Sequence, residues 1–388
     1  MENTKTQTGE WKKTKKVRMF DYTLLFIVLF LLCFGLVMLY SVSSYEANLK
    51  FEDSAYYLKK QLFATCIGLA IMILVSLLNY HIWEKTALLA YIISIVLIAL
   101  VLSSLGFEAN GARRWLDLGV SLQPAEVAKV GMIIFFAHFI AKFGRAIQSL
   151  KSIIITILFA LPPAGMILFI TDNLSSAIIV MGIVIMMIFV ATPNYKEYFL
   201  IAAGIIAVAA LVVFLVSKGI IPESMSYRFG RINAWLDPEG HASTTGFQTM
   251  QSLYAIGSGE YFGKGLGQSM QKLGFIPEAQ NDMIFSIICE ELGLFGAIAI
   301  ILLFILMIWR FLVIANNAPD QFGALLVVGV MAHISIQVIL NIAVVTNVIP
   351  NTGITLPFIS YGGSSIVFLL AEIGLCLSVS RGIKLENQ

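Results

Sequence analysis

The first polar stretch that could do chemistry contains Arg113 and Arg114, next to Trp115. An arginine guanidinium binds a phosphate through two parallel hydrogen bonds, and tryptophan favours a membrane interface. Glu126 and Lys129 follow on a predicted helix; three residues apart, they share one helix face and can neutralise each other. The stretch predicts either an anion-binding site or a structural ion pair with headgroup anchoring.

A second candidate is Asp282, which stands immediately before a long apolar segment. A carboxylate in that position can cap the helix that follows. Partial desolvation can equally raise its pKa towards the range of a general base. Glu290 lies two turns deeper, about 80° around the helix from Asp282. Glu291 faces the opposite side, where we expect a structural contact.

A third polar stretch covers residues 346–365, at the start of the last apolar segment. It contains Pro350, Gly353 and Pro357, followed by a serine- and glycine-rich run from Ser360. Broken helices at membrane depth occur only where they line a cavity or are buried in protein. We therefore predict a polar cavity that opens outwards, with a tight helix crossing as the alternative.

The elements that must position these residues follow from composition. The chain has 388 residues, of which 59% are hydrophobic and 12% are charged. A soluble globular protein is about 25% charged, so the composition excludes a water-soluble enzyme, a disordered chain and a conventional nucleic-acid binder. The four cysteines lie in apolar runs without paired metal spacing, so we predict neither a disulfide scaffold nor a protein-bound metal.

Apolar segments long enough to cross a bilayer, about 20 residues each, occur about ten times. The sequence therefore predicts an all-α polytopic membrane protein. The predicted spans lie near 22–42, 59–78, 84–104, 123–142, 152–171, 173–191, 197–216, 282–309, 321–345 and 354–380.

The distribution of basic residues predicts the topology. With a cytoplasmic N-terminus, the cytoplasmic segments hold 14 lysines and arginines and the short outer loops hold five, as the positive-inside rule requires. We predict a basic cytoplasmic tail at 1–19, a membrane domain at 20–381 and a cytoplasmic tail at 382–388. A long extracellular loop, 217–281, joins spans seven and eight, and we expect it to be ordered, with short amphipathic helices.

These features leave three classes of function open. A polar outward-facing cleft with arginines, a buried lysine and one well-placed aspartate suits a transporter or a membrane enzyme that acts on a lipid-linked substrate. A structural partner protein is the third class, although it does not explain the cleft.

Six motifs in order resemble the SEDS (shape, elongation, division and sporulation) family of bacterial membrane proteins. They are Gly-Ala-Arg-Arg-Trp at 111–115, Gln-Pro-Ala-Glu at 123–126, Trp-Leu-Asp-Pro-Glu-Gly at 235–240, Ala-Ile-Gly-Ser-Gly at 255–259, Phe-Gly-Lys-Gly-Leu-Gly at 262–267 and Leu-Pro-Phe-Ile-Ser-Tyr-Gly-Gly-Ser-Ser at 356–365. The resemblance covers nearly the whole chain and is closest to the division-type (FtsW) and sporulation-type branch.

The resemblance implies a ten-span peptidoglycan glycosyltransferase that polymerises lipid II at the outer face of the bacterial cytoplasmic membrane. Its key carboxylate corresponds to Asp282, here in Asp-Met-Ile-Phe, and its fourth-span pair to Glu126 and Lys129. The last-span serine corresponds to Ser360. Expected partners are a class B penicillin-binding transpeptidase and other division or sporulation proteins, at the division septum.

Two departures from the family pattern bear on individual residues. The family usually has His-Thr before this aspartate, where the chain has Gln280 and Asn281. The family's turn carboxylate after span five corresponds here to the amide Asn173, beside Asp172. We therefore expect no essential role for the side chains of Gln280 and Asn281.

The expected mechanism uses Asp282 as the base that accepts a proton from the attacking sugar hydroxyl. Arg113, Arg114 and Lys129 would balance the charge of the leaving diphosphate. A divalent cation, Mg²⁺ or Mn²⁺, is an optional addition to these groups, and no organic cofactor is expected. The alternatives are a lipid II flippase, which needs an inner opening as well, and a non-catalytic division scaffold.

Overall fold

The structure, a computed structural model, describes residues 3–5, 11–13, 20–109, 112–117, 119, 121–192, 195–218, 220, 227–244 and 246–384. Its helices are α1 (Tyr22–Phe51), α2 (Tyr56–Leu77), α3 (His81–Lys85), α4 (Ala87–Leu100), α5 (Pro124–Phe143), α6 (Leu150–Ile170), α7 (Leu174–Ala191), α8 (Tyr195–Ser217), α9 (Tyr227–Leu236), α10 (Phe247–Ser258), α11 (Ile284–Asn316), α12 (Gln321–Val345) and α13 (Gly363–Gly382). A 3-10 helix at Gly144–Gln148 joins α5 to α6.

The long helices reproduce the predicted spans. Within the described residues, eight are long and apolar enough to cross a membrane, namely α1, α2, α5, α6, α7, α11, α12 and α13. Predicted span seven corresponds to α8, and span three to α3 and α4. Helix α4 alone has 14 residues, which gives about 21 Å of helix. The prediction of an all-α membrane protein with about ten spans is confirmed.

Three helix boundaries differ from the prediction. Helix α1 continues to Phe51 rather than ending near residue 42, and α11 begins at Ile284 instead of residue 282. The last span becomes helical only at Gly363, not at residue 354. Proline fixes φ and lacks the amide hydrogen that a helix needs, and Gly353 has a φ of +68°. Residues 346–362 are therefore a non-helical segment between α12 and α13.

Short strands, which the all-α prediction did not include, lie between α4 and α5. Strands β3 (Gly106–Ala109), β4 (Ala112–Asp117) and β5 (Ser121–Leu122) form an antiparallel sheet in the order β3-β4-β5. Another antiparallel pair, β1 (Asn3–Lys5) and β2 (Trp11–Lys13), lies in the N-terminal tail. The three-stranded sheet places Arg113 and Arg114 on β4.

Close helix packing brings the spans together around α12 and α13. Gly374 on α13 faces α2 so closely that an added Cβ would lie 2.7 Å from the carbonyl oxygen of Met72. Small residues at such crossings allow the backbones to approach in lipid, where packing rather than the hydrophobic effect joins helices. Most of α12 is buried, so its polar residues face protein rather than lipid.

The two ends of the bundle carry different polar contacts. At one end Arg310 donates to the carboxylate of Asp21 at 2.6 Å, and Arg381 donates to the Ser76 carbonyl at 2.9 Å. The opposite end collects the three-stranded sheet, the long loop and residues 346–362. All the sequence-predicted site residues except the deeper Lys129 lie near that end, which we predict to be extracellular.

Candidate functional site

Asp282 lies where the long loop meets α11, and it does not cap that helix. The N-cap position of α11 is Met283, whose side chain makes no capping hydrogen bond. The Asp282 Oδ1 instead accepts a hydrogen bond from Nε2 of Gln248 on α10, with 3.3 Å between the atoms. The helix-capping alternative for Asp282 is therefore wrong in this structure.

The surroundings of Asp282 favour a carboxyl group that can exchange a proton near neutral pH. Its side chain is half-buried, and burial is the main cause that raises its pKa to about 6. The negative charge of Glu278 raises the pKa further, while Arg231 and the Gln248 hydrogen bond lower it. A base with a pKa near 6 is largely ionised at pH 7 yet can still accept a proton.

A hydrogen-bonded network surrounds the carboxylate and includes residues that the sequence analysis missed. The Oε1 of Gln248 accepts from Nδ2 of Asn351 at 2.9 Å, and Arg231 donates to the Asn351 carbonyl at 3.1 Å. Trp235, one turn after Arg231 on α9, donates to the Asn347 carbonyl at 3.0 Å. Short amphipathic helices were expected in the long loop, and α9 and α10 lie there. Arg231 and Trp235 are four residues apart on α9, so both side chains face residues 346–352.

Asn341 on α12 connects Asp282 to the non-helical segment. Its Nδ2 donates to the carbonyl oxygen of Asp282 at 2.8 Å and to that of Ile354 at 2.6 Å. The Asn341 side chain is fully buried, so these two bonds are shielded from water. They fix the backbone of Asp282 relative to the segment that breaks before α13.

Ser360, predicted to bind substrate, has a structural contact in this state. Its Oγ accepts a hydrogen bond from the Leu356 amide at 2.8 Å, which closes the turn before α13. The side-chain amide of Gln61 on α2 donates to the Ser360 carbonyl at 3.4 Å. Next to it, the Tyr361 amide donates to the Gln280 carbonyl at 2.9 Å. Ser360 thus lies near the Asp282 segment and holds the turn.

Glu126 and Lys129 form a buried ion pair in the first turns of α5. Lys129 Nζ lies 2.7 Å from Glu126 Oε1, and their side chains are only 2% and 7% exposed. Among the described residues, Glu126 Oε2 has no hydrogen-bond partner. The mutual neutralisation expected from the sequence is confirmed. Ser364 of α13 donates to the Ser121 carbonyl at 2.7 Å, which places the start of α5 at the Asp282 end of the bundle.

The two predicted phosphate-binding arginines have different environments. Arg114 is half-buried and its Nε and one terminal nitrogen donate to the carbonyls of Thr171 and Asp172, at 3.0 and 2.9 Å. It thereby satisfies carbonyl groups that the end of α6 leaves open. Arg113 is exposed and bonds the Gly106 and Ser103 carbonyls within its own loop. Asn173, the amide that departs from the family pattern, caps α7 through the Ser176 amide at 3.0 Å.

A second set of charges, on α11, holds the long loop in place. Glu290 is fully buried and accepts from Lys264 Nζ at 2.6 Å and from the Met270 amide at 3.1 Å. Glu291, also fully buried, accepts from Lys272 Nζ at 2.8 Å and from Ser41 on α1 at 2.8 Å. The structural contact expected for Glu291 is confirmed, and Glu290 has a similar role rather than a place beside Asp282.

The backbone of α11 becomes irregular where the long loop binds it. The amides of Lys264 and Gly265 donate to the carbonyls of Glu290 and Glu291, both at 2.9 Å. Gly293 interrupts α11 with a φ of +66°, and its Cβ position lies 2.4 Å from the Gly263 amide nitrogen. Only glycine fits such a close approach with positive φ. The glycine-rich run at 257–267 is thus an ordered clamp on the helix that follows Asp282.

The fold, the site and the sequence agree with one protein family. The sequence profile of the cell cycle protein family FtsW/RodA/SpoVE matches residues 22–385. The chain belongs to this family. It is 40% identical to Stage V sporulation protein E of Bacillus subtilis over 363 residues, which cover 93% of this chain and 97% of the relative. It is 36% identical to the probable peptidoglycan glycosyltransferase FtsW of Trichlorobacter lovleyi, with 96% of each chain covered.

Solved structures of similar proteins support the same assignment. One chain, from the study "Structural coordination of polymerization and crosslinking by a peptidoglycan synthase complex", superimposes with a TM-score of 0.77 at 30% identity, covering 93% of this chain and 98% of that one. The rod shape determining protein RodA of Thermus thermophilus gives a TM-score of 0.68 at 27% identity, covering 95% and 98%. The chain is therefore a multi-pass membrane protein with the FtsW/RodA/SpoVE fold.

Proposed function

We propose that this member of the FtsW/RodA/SpoVE family is a peptidoglycan glycosyltransferase. It polymerises lipid II into glycan strands at the outer face of the bacterial cytoplasmic membrane and releases undecaprenyl diphosphate. The observation that carries the proposal is the half-buried Asp282 carboxylate, whose pKa is raised to about 6 at the mouth of the membrane domain. The names of the similar FtsW proteins point to the same reaction.

Asp282 acts as the general base in this scheme. The 4-hydroxyl oxygen of the acceptor sugar attacks the anomeric carbon of the donor, and the hydroxyl proton passes to an Asp282 oxygen. The bond from the anomeric carbon to the diphosphate oxygen breaks, and its electron pair leaves with the diphosphate. Such base catalysis contributes about 10²–10⁴-fold to a rate. The Gln248 contact orients the carboxylate and the Asn341 contact fixes the Asp282 backbone before substrate binds.

Basic side chains at the same end of the bundle, together with the deeper Lys129, stabilise the leaving diphosphate. Arg231 acts electrostatically on Asp282, and we add it to the predicted Arg113 and Lys129. Arg114 also stays in the proposal, through the terminal nitrogen that its carbonyl contacts do not use. Fixed cations aimed at charge that develops in the transition state are the most effective catalytic groups of this kind. Ser360 would position the turn before α13, and Glu126 would position Lys129.

The described residues at the mouth do not form a divalent-cation site from protein ligands alone, so the optional Mg²⁺ or Mn²⁺ stays a prediction. Among the described residues, no three His, Cys, Asp or Glu side chains are close enough together to hold a metal ion. Glu278 and Asp282 are two carboxylates that interact at this position. We therefore derive no step through Mg²⁺ or Mn²⁺ and assign charge balance to the arginines and lysines.

The partners and the location are also proposals. A relative of this fold was studied within a peptidoglycan synthase complex, which supports a class B penicillin-binding transpeptidase as the partner of this chain. Similarity to a sporulation protein and to FtsW proteins supports a place at a division or sporulation septum, with other proteins of those processes.

A gel assay of glycan strands tests the proposal. The purified protein, alone and with its transpeptidase, is incubated with lipid II and compared with Asp282→Asn and with Asp53→Asn as the control. Asp53 is a loop carboxylate that pairs with Lys59 at 2.8 Å. We expect strands from the wild type and the control but not from Asp282→Asn. Lipid II scrambling in liposomes without strands would favour the flippase, and neither activity would favour the scaffold.

A further inference from the structure

One face of α12 carries three buried polar side chains spaced four residues apart: His333, Gln337 and Asn341. Their exposed fractions are 1%, 2% and 0%. Among the described residues, one polar atom of each lacks a hydrogen-bond partner, namely His333 Nε2, Gln337 Oε1 and Asn341 Oδ1. A buried polar atom left unpaired keeps the full cost of its desolvation, so a regular row of three indicates a ligand.

The chemistry of the unpaired atoms follows from the bonds that the same side chains do make. Gln337 Nε2 donates to the Thr355 carbonyl at 3.0 Å, and Asn341 Nδ2 donates to two carbonyls. The amide orientations are therefore set, and the unpaired atoms are the two oxygens, which only accept. A ligand between them must either donate two hydrogen bonds or be a cation.

The third atom belongs to a histidine that faces a carboxylate. His333 Nδ1 lies 2.8 Å from Glu372 on α13, and the Glu372 side chain is fully buried. That contact occupies Nδ1, and Nε2 is left without a partner among the described residues. Ionisable groups inside a membrane domain are rare because they are costly, and they occur where they have a function.

The spacing of the row selects the ligand. Four residues of α-helix rise about 6 Å, and a water that makes two hydrogen bonds of about 2.8 Å spans about 5.6 Å. The rise between successive side chains thus matches one water molecule at each step, which would donate to both amide oxygens in the upper step and bridge Gln337 to His333 in the lower one. Buried waters typically satisfy such polar atoms.

We infer that His333, Gln337 and Asn341 bind a chain of buried water molecules that links the backbone of Asp282 to the His333–Glu372 pair. Asn341 is the upper end, because it donates to the Asp282 carbonyl at 2.8 Å. The chain is a hydrated connection from the catalytic mouth to an ionisable pair halfway along α12. It extends the polar part of the site beyond the residues that we propose to touch the substrate.

Radiolytic footprinting of the full-length protein in detergent, read by mass spectrometry after rapid mixing with H₂¹⁸O, tests this inference. Radiolysis of ordered water beside a buried side chain allows that side chain to be oxidised even when it has no contact with bulk solvent. The matched reference is Met307 on α11, which is fully buried and more reactive than histidine. We expect His333 to be oxidised at least about five-fold faster than Met307 because ordered water lies beside it; a rate at or below that of Met307 overturns the inference.

Variants identify the binding row without any use of polymerisation, so this test and the test of the proposed function can fail separately. Gln337→Met keeps the side-chain length and removes the acceptor, and it should bring His333 oxidation down to the Met307 level. Ile339→Met, at a 63% exposed position of the same helix, should leave it unchanged. Equal oxidation in wild type and folded Gln337→Met contradicts the inference. His333 oxidation that appears only when N-methylglucamine replaces sodium in the buffer also contradicts the inference. It would show that a sodium ion, not water, occupies the row when sodium is present.

Discussion

Gln248 donates a hydrogen bond from Nε2 to the Oδ1 of Asp282, with 3.3 Å between the two atoms. The oxygen of the same amide accepts from Asn351 at 2.9 Å. One side chain of α10 thus joins the head of α11 to the non-helical segment after α12. Because the three elements are far apart in sequence, the orientation of the carboxylate depends on the tertiary fold rather than on local structure.

The burial of Asp282 should lower the stability of the fold. Its pKa is about 6 in the folded protein against an ordinary value of 3.8, so the folded state binds the proton more tightly. Stability therefore falls as pH rises from about 4 to about 6 and stays lower above that window. Asp282→Asn removes this cost, and we expect a higher melting temperature at pH 7.5 by a few degrees.

The control for this prediction is Asp53→Asn. A hydrogen bond from Lys59 holds the pKa of the exposed Asp53 below its usual value, so its ionised form is the favoured one in the folded state. Its loss should leave the melting temperature unchanged or slightly lower. A melting temperature of Asp282→Asn below that of the wild type would show that the carboxylate stabilises the fold.

Arg231→Gln should weaken catalysis in two ways. It removes a cation proposed to bind the diphosphate, and we expect a rate about 10- to 100-fold lower at pH 7.5. It also removes a positive charge that lowers the pKa of Asp282, so the acid side of the rate profile should move to higher pH. Arg231→Lys keeps the charge and should retain the wild-type pH midpoint; an unmoved midpoint in Arg231→Gln would contradict the electrostatic contact.

The Glu126–Lys129 pair allows stability and function to be separated. Lys129→Met leaves the Glu126 carboxylate buried without its partner, a change that costs about 3–5 kcal/mol in typical buried pairs. The double variant Glu126→Leu, Lys129→Met should recover most of the thermal stability. If Lys129 binds the substrate, the double variant folds but stays inactive in the gel assay, whereas recovery of both properties would leave the pair a structural role alone.

The two neighbouring arginines should respond differently to the same substitution. Arg114→Gln loses two hydrogen bonds to carbonyls near the end of α6, and each bond from a charged donor contributes about 1.5–3 kcal/mol. We expect a lower melting temperature. Arg113→Gln, at an exposed side chain, should leave thermal unfolding unchanged and raise KM for lipid II. Equal loss of stability in both variants would contradict these separate roles.

Hydropathy and charge predicted the spans and the ordered loop because long apolar segments have few alternatives in a bilayer. The β3–β5 sheet was missed since its strands have two to six residues and lie outside the apolar pattern. The sequence already showed Asp282 immediately before the apolar segment that forms α11, and this position predicted where the mouth of the site lies.

The partners of Asp282 could not be predicted in the same way. Arg231 is one of five basic residues in the long loop, and nothing in its neighbours distinguishes it. Its place depends on α9 lying against Asn347 and Asn351, which are more than 100 residues away in sequence. Gln248 and Asn341 are likewise uncharged residues in ordinary surroundings, and only the fold brings them to the carboxylate.

The pH dependence of polymerisation, measured under single-turnover conditions with saturating lipid II, tests the central role of Asp282 most directly. The base must be ionised to accept a proton, so the rate should rise with pH, reach half its maximum near pH 6 and then stay level. The rate should fall about tenfold for each pH unit below that midpoint. A rate that is independent of pH between 5 and 8, or that survives in folded Asp282→Asn, would contradict the account.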